Sequence, residues 1–100
     1  MPTVTALIPT PLREYADGEV RVELAAATVR EALDGLTARH PRLKRHLFAD
    51  DGRLRRFVNI YLNDADIRYL EDGEGARLQN GDELRIVPSI AGGAVTLELT

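Results

Sequence analysis

Apolar and polar residues alternate near both ends of this chain, and a helical stripe lies between them. Thr3-Val4-Thr5-Ala6-Leu7-Ile8 opens the pattern. Period two predicts a strand with Val4, Ala6 and Ile8 on one face and Thr3, Thr5 and Leu7 on the other. Pro9-Thr10-Pro11 stops it, Asp17-Gly18 signals a turn, and Glu19-Val20-Arg21-Val22-Glu23-Leu24 alternates again. These two strands are expected to pair as an antiparallel hairpin across a long connection. Thr28-Val29-Arg30-Glu31 has the form of a capping box, in which the threonine hydroxyl accepts an early helical N–H and the glutamate reaches back. Val29, Ala32, Leu33 and Leu36 follow at helical spacing as one apolar stripe. Gly35 weakens that helix by about 1 kcal/mol relative to alanine, and Pro41 ends it. Leu43, Leu47 and Phe48 predict a further helical turn beneath the domain.

The second half begins with Phe57-Val58-Asn59-Ile60-Tyr61-Leu62, the strongest strand pattern in the chain. If Val58, Ile60 and Leu62 face the helix, Phe57, Asn59 and Tyr61 face outward. Asn63-Asp64 reads as a turn, residues 66–77 as irregular and acidic, and Asn80-Gly81-Asp82 as a tight turn. Leu84-Arg85-Ile86-Val87 is the closing strand, with Arg85 and Val87 outward. Pro88 is expected to end it, having no N–H for a ladder. Ser89-Ile90-Ala91-Gly92-Gly93 then has no periodicity and finishes in two residues without Cβ atoms, able to lie extended in a slot too narrow for side chains.

The order strand, strand, helix, strand, irregular segment, strand predicts an α+β fold of the β-grasp (ubiquitin-like) type. Its mixed sheet of four to five strands carries one main helix on one face, and the first and last strands lie parallel at the centre. Residues 1–88 form the domain, 89–93 an arm ending in Gly-Gly, and 94–100 an extension. Fold alone does not give function.

Composition narrows the classes. One hundred residues make one modest core. A net charge of −3 argues against a dedicated nucleic-acid binder. There is no cysteine, so disulfides, thiolate catalysis and cysteine-based metal sites are absent. The first residues lack the basic and apolar regions of a secretory signal, and no apolar run is long enough for a membrane span, so a cytoplasmic location is expected. His40 and His46 have no second ligand at diagnostic spacing and are expected at the surface as neither metal ligands nor bases. Asp50-Asp51 and Asp64/Asp66 lie in turn sequences, where aspartate bonds locally. The cluster Arg39, Arg42, Lys44, Arg45, Arg53, Arg55 and Arg56 reads as a solvated helix end and charged loop. No Ser-His-Asp set can be assembled, so no intrinsic catalysis is expected.

Ile8-Pro9-Thr10, the block Arg56 to Asp64 with Asp66-Ile67-Arg68, Asn80-Gly81-Asp82, and Ile86-Val87-Pro88-Ser89-Ile90-Ala91-Gly92-Gly93 together resemble the ubiquitin-like sulfur carriers. These include the small subunit of molybdopterin synthase, the thiazole-pathway carrier and, with most likeness, the thiocarboxylate carrier of cysteine biosynthesis. The resemblance covers most of residues 3–93 and implies a carrier, not an enzyme. It implies an adenylyltransferase of the ubiquitin-activating type that uses ATP and magnesium, no cofactor or metal on the chain itself, and a sulfur-accepting synthase. Gly93 would bear the sulfur, with Gly92 beside it. The docking face of such a carrier would include Leu7, Phe57, Tyr61, Arg85, Val87 and Ile90, and neither nucleic acid nor membrane is implied.

Residues 94–100 depart from the family pattern, which ends at the second glycine. The resemblance to other ubiquitin-like proteins implies cleavage after Gly93 by a JAMM-type zinc metalloprotease. Two other readings stand beside this one. The glycines could form a bulge or turn before a last strand over 95–99, making the chain a β-grasp interaction module. Alternatively, an activated Gly93 could be joined to a lysine of another protein.

Overall fold

Strands from the two ends of the sequence lie side by side at the middle of a single sheet. The computed structural model describes residues 1–88. Its five strands are β1 (Thr3–Leu7), β2 (Arg21–Ala25), β3 (Val58–Leu62), β4 (Ala65–Asp66) and β5 (Glu83–Pro88), in the spatial order β2-β1-β5-β3-β4. β1 and β5 are parallel, whereas β1–β2, β3–β5 and β3–β4 are antiparallel. This is the expected mixed β-grasp sheet, with β4 the strand that sequence patterning did not resolve.

The inward residues are those that the alternation selected. Val4, Ala6, Ile8, Val22, Val58, Ile60, Leu84 and Ile86 are all buried. Helix α1 (Val29–Arg39) covers them with Val29, Ala32, Leu33 and Leu36, also buried. Burial of each valine, leucine or isoleucine among them contributes about 1.5–3 kcal/mol. The capping box forms: Thr28 Oγ1 accepts the Glu31 N–H at 3.2 Å, and Glu31 Oε1 accepts the Ala27 N–H at 3.0 Å. The reach is thus one residue beyond the cap. Leu43 and Leu47 are buried by a 3-10 turn at Pro41–Leu43 and a short helix α2 (Lys44–Leu47), as the sequence predicted. Arg30 holds α1 to two later segments, donating to Asp34 at 3.0 Å, Glu74 at 3.1 Å and the Gly52 carbonyl at 3.1 Å. Burial alone would lower its pKa, but the hydrogen bonds to Glu74 and Asp34 and the charges of both carboxylates together raise it.

Three expectations need correction. Pro88 does not stand outside the last strand but is its final residue, opposite Val58. The Val58 N–H donates to Arg55 O and its carbonyl accepts from Arg68, so this pair exchanges no ladder hydrogen bond and the missing proline donor is not required. Residues Thr10–Ala16, read as a mere stop and connection, form a 3-10 helix that buries Leu12 and Ala16. It ends at Asp17 and Gly18, both left-handed with φ of 55° and 79°, which is the turn the Asp-Gly pair signalled. Finally, β2 begins at Arg21, so Val20 lies outside it and is 48 % exposed.

β3 extends well past two-residue β4, leaving part of its outer edge without a strand neighbour. The Arg68 guanidinium covers that edge, donating to the carbonyls of Arg56 and Val58 (2.9 Å for Val58) and to Asn59 Oδ1 at 2.6 Å. Unpaired edges promote association, and hydrogen bonds to charged groups are worth about 1.5–3 kcal/mol. Because this site is partly solvated, Arg68→Ala is expected to cost roughly 1–2 kcal/mol in urea unfolding and to increase self-association in sedimentation. Unchanged stability and a strictly monomeric variant would deny Arg68 that role.

Candidate functional site

The parallel pairing of β1 and β5 brings both strand ends to the same end of the sheet. Directly paired residues share a face, and the registers therefore define a row. Arg21 pairs with Leu7, Leu7 with Arg85, Arg85 with Tyr61, and Tyr61 with Asp66. Three of the expected docking residues, Leu7, Arg85 and Tyr61, thus stand next to one another across the three central strands, on the face away from α1. Val87, two residues further along β5, pairs with Asn59 and presents the next row on that face. All four are at least partly exposed. Phe57 lies just before β3 and is 49 % exposed, at the margin of the patch. Ile90, Gly92 and Gly93 lie outside the described residues, as do the arm 89–93 and the extension 94–100.

At the end where β1 and β5 finish, a groove of about 470 Å³ is bordered by Leu7, Arg85, Val87 and Pro88. Val20 and Arg13 also line it, and sequence reasoning assigned neither to a site. Val20 reads as an inward strand position until the strand is seen to start after it. Arg13 lies in the 3-10 segment, which carries no periodic signal; its Nε donates to the Ile8 carbonyl at 3.0 Å. The groove combines apolar walls with guanidinium groups and lies where the chain leaves β5. It offers a binding surface and no general base.

Elsewhere the turn readings hold. Asp51 Oδ1 accepts the Arg53 N–H at 3.0 Å and Asp66 Oδ1 the Arg68 N–H at 2.9 Å, both local bonds. The Asn80-Gly81-Asp82 turn fastens β1 to β5. Asn80 Oδ1 accepts the Thr3 N–H at 2.8 Å, and Gly81, with φ of 88°, donates its N–H to the Thr3 carbonyl at 2.9 Å. This brace fixes the relative height of the central strands.

The histidines are not surface residues as expected. His40 is 6 % exposed, with Nε2 at 3.0 Å from Glu19 and Nδ1 at 3.6 Å from Asp17. His46 stacks on Tyr15 at 4.1 Å between ring centroids, and its Nε2 is buried with no hydrogen-bond partner. Burial holds its pKa below the usual value, reinforced by Arg45, Arg55 and Arg42. The loop after β1 folds back over the end of α1 to cover His40, and its Tyr15 packs on the partly buried His46 of α2, contacts between residues that are distant in sequence. Neither touches the outward row. Among the described residues, no helix is long and apolar enough to cross a membrane.

The comparisons with known proteins agree with this architecture. Residues 6–93 match the ThiS family, so the match ends on Gly93. The chain is 36 % identical over 92 residues to the sulfur carrier protein CysO of Mycobacterium tuberculosis, covering 90 % of this chain and 98 % of that protein. It is 39 % identical over 79 residues to small archaeal modifier protein 1 of Haloferax volcanii, covering 74 % and 80 % of the two chains. The crystal structure of the Amycolatopsis orientalis BexX/CysO complex contains a chain that superposes with a TM-score of 0.79 at 43 % identity, covering 90 % of this chain and 99 % of that one. With the outward row, the strand leading to Gly-Gly and a match over nearly its whole length, the chain belongs to the ThiS family of ubiquitin-like sulfur carriers.

Proposed function

We propose that this protein carries sulfur as a thiocarboxylate on Gly93, after removal of residues 94–100, and acts as a co-substrate of partner enzymes. The observation that carries the reading is the family match ending on Gly93, in a chain whose last described strand runs toward that residue beside an outward row of Leu7, Arg85 and Tyr61. In this reading a carboxylate oxygen of Gly93 attacks the α-phosphorus of ATP in an adenylyltransferase, and pyrophosphate leaves. Sulfide then displaces AMP from the acyl carbon, leaving the thiocarboxylate for a sulfur-accepting synthase. With a persulfide donor the displacement gives an acyl disulfide, which a second thiol cleaves to the thiocarboxylate as the two donor thiols leave joined as a disulfide. Magnesium and ATP belong to the partner. The folded body serves to dock and thereby raise the effective concentration of the arm in that partner's site.

The adenylyltransferase would dock on the outward row and the adjoining groove. Leu7→Glu and Val87→Glu are each expected to weaken its binding by roughly tenfold or more, because desolvating an unpaired carboxylate in an interface costs several kcal/mol. Both positions face away from the core, so the melting temperature should move little. Calorimetric titration checks this, and unchanged affinity would mean that the enzyme reads another face. A second reading, conjugation of activated Gly93 to a lysine of another protein, is supported by the likeness to small archaeal modifier protein 1. It uses the same activation and differs only in the nucleophile that takes the acyl group.

A further inference from the structure

We propose that a second surface, the cleft between the 3-10 segment Thr10–Ala16 and the α1–α2 connection, binds an acidic polypeptide segment of a partner protein through Arg42, Lys44 and Arg45. This surface is separate from the outward row and does not depend on the carrier reading. The cleft measures about 550 Å³ and is lined by Tyr15, Pro41, Phe48 and Ala49 with the three cations and one carboxylate, Asp50. None of the residues lining it belongs to a strand.

The charge distribution calls for an anionic partner. Residues 39–56 hold seven cations and two carboxylates, a local balance of +5 in a chain whose net charge is −3. Among the described residues, the ion pair from these cations is Arg53 to Asp51, at 3.8 Å and well exposed. Arg39, Arg42, Lys44, Arg45 and Arg56 are exposed and make no ion pair there. The helix dipole accounts for Arg39, which is in the last turn of α1, but its influence fades before Arg42, Lys44 and Arg45. Burial, then Arg45, Arg55 and Arg42, hold the His46 pKa below its usual value against the opposing charge of Glu14.

The form of the cleft favours a polypeptide over a nucleic acid. Binding of single strands needs open aromatic faces on which bases stack. Here Phe48 is only 3 % exposed with the Arg30 guanidinium 4.5 Å from its ring centroid, and Tyr15 stacks on His46 with the Arg42 guanidinium 5.3 Å from its own ring centroid. Cations lining a cleft whose aromatic faces are already covered instead suit carboxylates, since guanidinium binds carboxylate in a bidentate manner.

The test titrates a synthetic peptide of glutamate and aspartate into the whole chain, at about 0.15 M salt, where the screening length is about 8 Å. Amide NMR shifts are expected to centre on Tyr15, Arg42, Lys44, Arg45 and Phe48. Arg42→Glu and Arg45→Glu should each weaken binding roughly tenfold, and Arg42→Gln by less, while Arg77→Glu, with the same change in net charge, should not. The spectra of the free variants report that the fold is kept. Equal weakening by Arg77→Glu, shifts centred elsewhere, no binding, or tighter binding of a single-stranded DNA oligonucleotide at the same residues would each overturn the proposal.

Discussion

Full-length chain mixed with ATP, magnesium and its adenylyltransferase is expected to give no pyrophosphate exchange, whereas a chain ending at Gly93 exchanges readily. In the full-length chain the Gly93 carbonyl is bound in an amide to Ala94. An amide is a very poor nucleophile beside a carboxylate, so there is nothing to attack the α-phosphate. A protease that cuts after Gly93 adds water across that C–N bond, giving a carboxylate on Gly93 and an amine on Ala94. A zinc-bound hydroxide would supply the nucleophile at neutral pH in a JAMM-type enzyme. Treating the full-length chain with such a protease should therefore restore exchange to the level of the shortened chain. Exchange by untreated full-length chain would overturn the precursor account, and an inert Gly93-ended chain would undermine the carrier assignment itself.

The second large effect concerns the glycine pair. In the chain ending at Gly93, Gly92→Ala and Gly93→Ala are each expected to lower adenylation by roughly a hundredfold or more. An added Cβ in a channel shaped for glycine displaces the carboxylate, and a misplacement of about 1 Å can cost that factor. Stability should change by no more than about 0.5 kcal/mol, because the buried apolar core among the described residues runs from Val4 to Ile86. Thermal unfolding and pyrophosphate exchange measured on the same samples separate these two expectations. Exchange at the normal rate would show that the channel tolerates side chains.

Much of the fold was legible because its elements are locally consistent. The alternation in β1, β3 and β5, the Thr28–Glu31 cap and the apolar stripe of α1 each state their own structure. What remained hidden was non-periodic or non-local. The 3-10 helix Thr10–Ala16 sits between prolines and carries no amphipathic repeat, yet it is what supplies Tyr15 both to His46 and to the basic cleft. His40 was misplaced for the same reason, since its partners Asp17 and Glu19 arrive from the loop after β1. The basic cluster could be counted in sequence, but not the cleft it rims. On the outward face, Leu7, Arg85, Tyr61 and Val87 followed from period two once the strand order was assumed. Val20 and Arg13 did not, because their positions depend on where β2 begins and how the 3-10 segment turns.

The central claim, that Gly93 carries sulfur, is tested most directly by intact-mass spectrometry of the protein isolated from its native cells. The account predicts a species that ends at Gly93 with one oxygen of the terminal carboxylate replaced by sulfur. Chains that all continue uncut past Gly93, with no species ending at or linked through Gly93, would contradict it.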